Sequence, residues 1–127
     1  MLEDEVVTLA RGKNFAAFTT MLPSGAPMTH VMWVDASKDH VLLNTEVHRR
    51  KYRNVIANPR VTVTVIDAAN PYHYVEVRGR VVGEVRGPEA RSHIDQLSEK
   101  YTGEPYGPEI RSERVILRVE PERQLIH

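Results

Sequence analysis

The sequence has 127 residues and no cysteine. That is enough chain for one domain with a real core and too little for two, and the missing thiols exclude a disulfide scaffold and thiolate metal or redox chemistry. Lys and Arg together number 17, as do Asp and Glu, so no net field exists to hold a polyanion or an anionic membrane surface, and nucleic-acid and membrane partners are not expected.

Leu2, Val6 and Leu9 recur at helical spacing behind the acidic Glu3, Asp4 and Glu5, and Gly12 stands where a C-cap glycine belongs, which predicts a first short helix. Those acidic residues occupy the place where an export signal needs positive charge, and the cytoplasm is the expected location. Phe15 to Met21 is aromatic, small and β-branched, Pro23-Ser24-Gly25 is turn chemistry, and Met28 to Val34 follows as a second strand. Asp35 to Asp39 is read as a polar turn and His40 to Thr45 as a third strand, giving three consecutive antiparallel strands.

In Glu46 to Asn58, Tyr52, Val55 and Ile56 fall at i, i+3 and i+4, and Asn58-Pro59 ends what is predicted as a second helix. Arg60 to Asp67 alternates apolar and hydroxyl residues and predicts a central strand covered on both faces. Tyr72 to Arg86 reads as one long strand bent or bulged at Gly79 and Gly83, where a sheet curls toward closure. Gly87-Pro88 opens a third helix carrying Ala90, Ile94, Leu97 and Tyr101 on one stripe. A loop with Gly103, Pro105, Gly107 and Pro108 ends it, and Val115 to Glu120 alternates as a last strand before a short tail. Helix, three strands, helix, two strands, helix, strand is an α+β plan around an antiparallel barrel, in a single domain spanning 1–127.

The segment richest in chemistry is Thr45-Glu46-Val47-His48-Arg49-Arg50-Lys51-Tyr52-Arg53-Asn54. Arg49, Arg50 and Lys51 crowd the first turn of the predicted helix, where the macrodipole is already positive and backbone donors are free. Left unpaired, that crowding is unfavourable. A phosphate docked there reverses the sign, because amides, dipole and guanidinium forks all point at one anion. A solvated helix face partly neutralised by Glu46 is the other reading, and residue types alone leave both open. No glycine-rich phosphate loop or dinucleotide fingerprint is present, and the six histidines have no metal-site spacing.

Val41-Leu42-Leu43-Asn44-Thr45, then His48-Arg49-Arg50-Lys51, then Asn58-Pro59-Arg60-Val61 resembles the pyridoxamine-phosphate-oxidase-like split barrels, a family holding both FMN enzymes and deazaflavin-dependent reductases. The resemblance covers most of Phe15 to Gly83 and implies an FMN-binding split antiparallel β-barrel with short flanking helices. It further implies that Thr45, Arg49, Arg50 and Lys51, with Asn44 beside them, hold a cofactor phosphate, and that His30, Val31, Met32 and Trp33 lie along the ring system. His30 stands where FMN oxidases commonly carry an Arg, and the Arg49, Lys51, Asn54 pattern looks more like the deazaflavin-using branch. The resemblance therefore implies coenzyme F-420, the 8-hydroxy-5-deazaflavin, as cofactor, with FMN as the alternative.

The implied activity is hydride transfer between that cofactor and a small organic acceptor by a homodimer, with Tyr74 of the Tyr72-His73-Tyr74 cluster reaching the ring from the partner subunit; an interface or core role explains Tyr74 at least as well. His30, Tyr74 and solvent stand equal as proton sources, and no catalytic residue is singled out. An FMN-dependent oxidase and a non-catalytic carrier of flavin, deazaflavin or haem are the rival readings. Met32 and Trp33 are as well explained by plain core packing as by a ring-binding floor.

Overall fold

The computed structural model describes all of residues 1–127 as three helices and seven strands. Helix α1 is Asp4–Arg11, followed by β1 Phe15–Met21, β2 Pro27–Met32, β3 Asp35–Ala36 and β4 Val41–Glu46. Helix α2, Arg50–Ala57, leads to β5 Arg60–Ile66 and β6 Tyr74–Val85, and α3, Pro88–Thr102, to β7 Arg114–Ile126. All strand pairs are antiparallel, and the sheet order is β2-β1-β5-β6-β7-β4-β3.

That order dictates closure. β2 and β3 are the two edges of a seven-stranded sheet, yet only Trp33 and Val34 separate them along the chain. Laid flat, six strand spacings of about 4.8 Å would put the edges about 29 Å apart. Three Cα–Cα steps reach about 11 Å at most, so the sheet must curl until its edges nearly meet. Alternation does the rest. The inward residues of β5, Val61, Val63 and Val65, join Phe18, Leu43, Val75, Val77, Leu117 and Val119 in one 20-residue core, plugged by Val6 and Leu9 of α1. Burying that set is the main stabilising term.

The curl is helped where glycine was expected to help it. The β6–β7 register shifts between Arg78 and Gly79 and again between Val81 and Gly83. At Gly79 the partner backbone comes so near that a Cβ would lie 2.0 Å from the Glu120 carbonyl oxygen. Gly79→Ala is expected to cost roughly 1–3 kcal/mol, because backbone must move to admit the methyl group. A urea midpoint equal to wild type would refute the close approach as a constraint.

Several boundaries differ from the sequence reading. The strands before and after residue 34 are not three consecutive partners: β4 pairs with β7 and β3, and β2 with β1 alone. Local hairpin logic fails here because barrel closure rewards long-range pairing instead. Asp35 and Ala36 form a short strand and not a turn, and the real turn is Ser37 to His40. The second helix starts at Arg50, since Glu46 still belongs to β4, where it pairs in register with Arg114. The last strand runs on to Ile126 against β6. β5 is central, but this chain covers only one of its faces: Thr62 and Thr64 are half-buried and Ile66 is exposed on the other.

Candidate cofactor-binding site

A cavity of about 370 Å³ opens at the seam between the two sheet edges, roofed by α3 and the α3–β7 loop. Its size suits a small-molecule or cofactor site. One end is apolar, lined by Phe15, Val31, Met32, Trp33, Ile94 and Leu97, and the other is polar and cationic, with Asn44, Thr45, Arg49, Lys51 and Arg114. Tyr106 and Pro108 of the α3–β7 loop form a lip. Trp33 is held rigidly: its indole stacks on Tyr101 with centroids 5.1 Å apart and planes 4° apart, and Tyr106 meets it edge-on at 6.2 Å.

The cationic end follows from how β4 hands over to α2. The chain leaves Glu46, turns through Val47 and His48, and enters the helix at the N-cap Arg49, whose side chain makes no capping bond. No acidic residue stands in the first helical turn, and the amides of Arg50, Lys51 and Tyr52 find no partner in the chain. An uncapped helix start is a ready anion site. Lys51 projects from it into the cavity, only 8% exposed and without a single hydrogen bond or ion pair. Burial first, then the neighbouring charges of Arg49 and Arg114, lower its pKa to about 8.

Behind these cations lies a buried polar layer. Glu46, 1% exposed, accepts hydrogen bonds from the amides of Arg111 (2.7 Å) and Ser112 (2.8 Å). It also pairs with Arg114 at 3.4 Å and Arg49 at 3.5 Å. Burial pushes its carboxyl up, but the two amides, Arg114 and His48 outweigh that and hold it below the ordinary glutamate value. The Arg114 Nε donates to Asn44 Oδ1 at 2.8 Å, while its guanidinium lies 5.3 Å from the Tyr106 ring centre.

The structure gathers seven of the sequence-derived site residues into one wall: Val31, Met32, Trp33, Asn44, Thr45, Arg49 and Lys51. Arg50, at the first helical position, is exposed and does not line the cavity. His30 also lies outside the lining, and burial together with the charges of Lys51 and Arg49 lowers its pKa. Asn54 sits beneath the site on α2, donating to Thr20 Oγ1 at 3.0 Å, with its own Oδ1 buried and unpartnered. Tyr74 is remote within this chain, stacked on His127 at the start of β6. Arg114, Tyr106 and Phe15 belong to the site and escape sequence reasoning. For Arg114 the one available signal is its position four residues before Arg118 at the head of an alternating strand.

A curled antiparallel half-barrel whose seam holds a cation-ended, aromatic-walled cavity defines a split-barrel cofactor-binding fold. The family profile described as pyridoxamine 5'-phosphate oxidase matches residues 2–126, and the chain belongs to that family. Its fold is that of flavin-type oxidoreductases. Among solved structures, one named F420 reductase superposes with a TM-score of 0.83 at 31% identity, over 98% of each chain. A conserved hypothetical protein from Mycobacterium tuberculosis gives a TM-score of 0.75 at 25% identity, over 98% of this chain and 82% of the other. General Stress Protein 26 from Bacillus anthracis shares the fold at 15% identity, with a TM-score of 0.72 over 97% and 91% of the two chains. No curated protein sequence matches the chain. No helix is long and apolar enough to cross a membrane.

Proposed function

We propose that this protein is an oxidoreductase that binds the 8-hydroxy-5-deazaflavin coenzyme F-420 and passes hydride between it and a small organic acceptor, working as a homodimer in the cytoplasm. The observation that carries the reading is Lys51: a cation 8% exposed, facing the cavity beside an uncapped helix start, with no partner in the chain. Burying an unpaired ammonium is costly, and a phosphate-bearing ligand removes the cost. The residues present therefore fit such a coenzyme. Lys51, Arg49, Arg114 and the free amides of α2 would hold its anionic tail, and Trp33, Met32 and Val31 would flank its ring. The similarity to the protein named F420 reductase favours the deazaflavin over FMN.

The coenzyme supplies the redox chemistry when bound. The chain orients it, and the apolar wall excludes water from the acceptor. Within one subunit the ring end stays open, because Val31 is 73% exposed and Phe15 and Ile66 lie in an open row on the outer sheet face. Tyr74 pairs with Ile66 in that same row. A second copy packed on this face closes the cavity and brings Tyr74 of the partner subunit to its mouth.

Fluorescence titration with FMN and with coenzyme F-420, alongside sedimentation to measure mass, tests the reading. Preferential binding of the deazaflavin by a dimer, and oxidation of its reduced form by electron-poor acceptors, is the expected result. Tighter FMN binding with oxygen-dependent turnover would replace it with an oxidase, and binding without turnover of any acceptor with a carrier.

A further inference from the structure

His93 is the one histidine buried in the fold, at 6% exposure on α3, and nothing in the cofactor reading uses it. It lies one residue behind the cavity wall. Its Nε2 is 3.0 Å from Asp35 Oδ2 on β3, and its Nδ1 is 3.1 Å from the Asn44 side-chain nitrogen on β4. The same Asn44 nitrogen donates to the Ala90 carbonyl at 3.0 Å, and Asn44 Oδ1 accepts from Arg114 Nε at 2.8 Å. The charged groups around this line are Asp35, Lys100 on α3, Arg114 on β7 and Glu46 on β4.

Donor and acceptor logic leaves one arrangement. A carbonyl only accepts and a guanidinium only donates, so Asn44 must turn its nitrogen to Ala90 and its oxygen to Arg114. The nitrogen then also faces His93, whose Nδ1 must accept. The ring proton is therefore on Nε2, donated to Asp35. Burial raises the Asp35 pKa, but the His93 bond, the Ala36 amide and nearby charges more than offset it, which keeps a carboxylate there to receive that proton. At the far end, Asn44 and Glu46 hold Nε and Nη1 of Arg114, whose guanidinium lies beside Tyr106 at the cavity lip.

We propose that His93 is a positioning residue for the anion end of the cavity: its Nδ1 lone pair sets the orientation of the Asn44 amide, and Asn44 in turn aims the Arg114 guanidinium at the bound phosphate. The claim rests on the cavity holding a phosphate-bearing ligand only where affinity is the readout. A purely architectural His93, bonding α3 to the sheet, needs no particular tautomer and no particular effect on ligand binding.

Two variants separate the roles. The amide oxygen of His93→Asn stands near the place of Nδ1 and still accepts from Asn44, whereas His93→Gln keeps a donor toward Asp35 and loses that acceptor. With FMN and coenzyme F-420 as probes, His93→Gln is expected to weaken binding roughly tenfold, and His93→Asn to stay within about twofold of wild type. Nitrogen NMR of the unliganded protein should show the His93 ring protonated on Nε2 alone, and an exchange-protected Arg114 Nε–H that persists in His93→Asn and is lost in His93→Gln. Protonation of Nδ1 at neutral pH, or equal affinity and equal Arg114 protection in the two variants, overturns the proposal. If neither probe binds wild type, the cofactor reading fails by itself, and the NMR signals alone decide the role of His93.

Discussion

Lys51→Met should bind the phosphate-bearing coenzyme roughly a hundredfold more weakly than wild type while melting at a higher temperature without ligand. The loss follows from removing a charge-assisted hydrogen bond, worth up to about 3 kcal/mol, from a site shielded from water. The gain follows from the same burial. In the unliganded fold Lys51 is 8% exposed with no counter-ion, and its pKa is lowered to about 8. Folding therefore opposes the charged form. The penalty is fully present below about pH 8, shrinks as pH rises toward the ordinary lysine value, and vanishes above it. A methionine of similar length avoids it, and a rise of roughly 5 °C at neutral pH is expected. Ligand affinity runs the other way in wild type, falling by up to about tenfold per pH unit above about 8 as the ammonium loses its proton. The variant should show no such limb. Calorimetry and titration between pH 6 and 10 read both effects, and unchanged affinity in Lys51→Met would remove the anion site.

Glu46→Gln should destabilise the fold by about 3–5 kcal/mol, the usual cost of leaving one member of a buried ion pair alone. Arg114 is itself only 6% exposed and Glu46 is its one carboxylate partner. The oxygen of a glutamine can still accept from both Arg111 and Ser112, which share one Glu46 oxygen, but its nitrogen would then face the guanidinium, donor against donor. The pH dependence has a definite sign. Because the folded carboxyl titrates below its ordinary value, its contribution is complete above about pH 4.5 and is lost as pH falls through the lower, folded-state value. Wild type and variant should thus converge in acid. Urea midpoints differing by less than about 1 kcal/mol at pH 7 would show that Arg114 is compensated in another way.

What could be read in the sequence was whatever is local. The Val-Thr-Val-Thr-Val alternation of β5, the proline-opened α3 and the bulging glycines of β6 each show their period or punctuation within a short window. The crowding of Arg49, Arg50 and Lys51 is local in the same way, lying within three residues, and Arg49 and Lys51 do line the cavity. Closure was not. The pairing of β4 with β7 joins residues some 70 positions apart, as Glu46 and Arg114 show, and no local pattern announces it. Arg114 stood in the charged run Glu109 to Arg118 with nothing to distinguish it until its strand was laid beside Glu46. Arg50 lies outside the lining for a geometric reason the sequence does not resolve: adjacent helix positions point about 100° apart, so Arg50 and Lys51 do not share a face.

The Trp33–Val34 step between the sheet edges limits how this protein can move. A pocket whose walls are held only by packing can widen by hinge or shear, but here two covalently joined residues set the span from Met32 to Asp35. Trp33 is in addition clamped against Tyr101, and the Val34 amide is bonded to the Tyr101 hydroxyl at 3.1 Å. Breathing at the seam is thereby suppressed. The remaining rim is the proline-containing stretch with Tyr106 and Pro108, held by the Tyr106 amide on Asp95, by the Tyr106 ring against Trp33 and Arg114, and by the Arg111 and Ser112 amides on Glu46. The barrel thus acts as a fixed frame, in which a change of ring size or substituent must be met by the side chains of the wall and not by a change in the span of the seam.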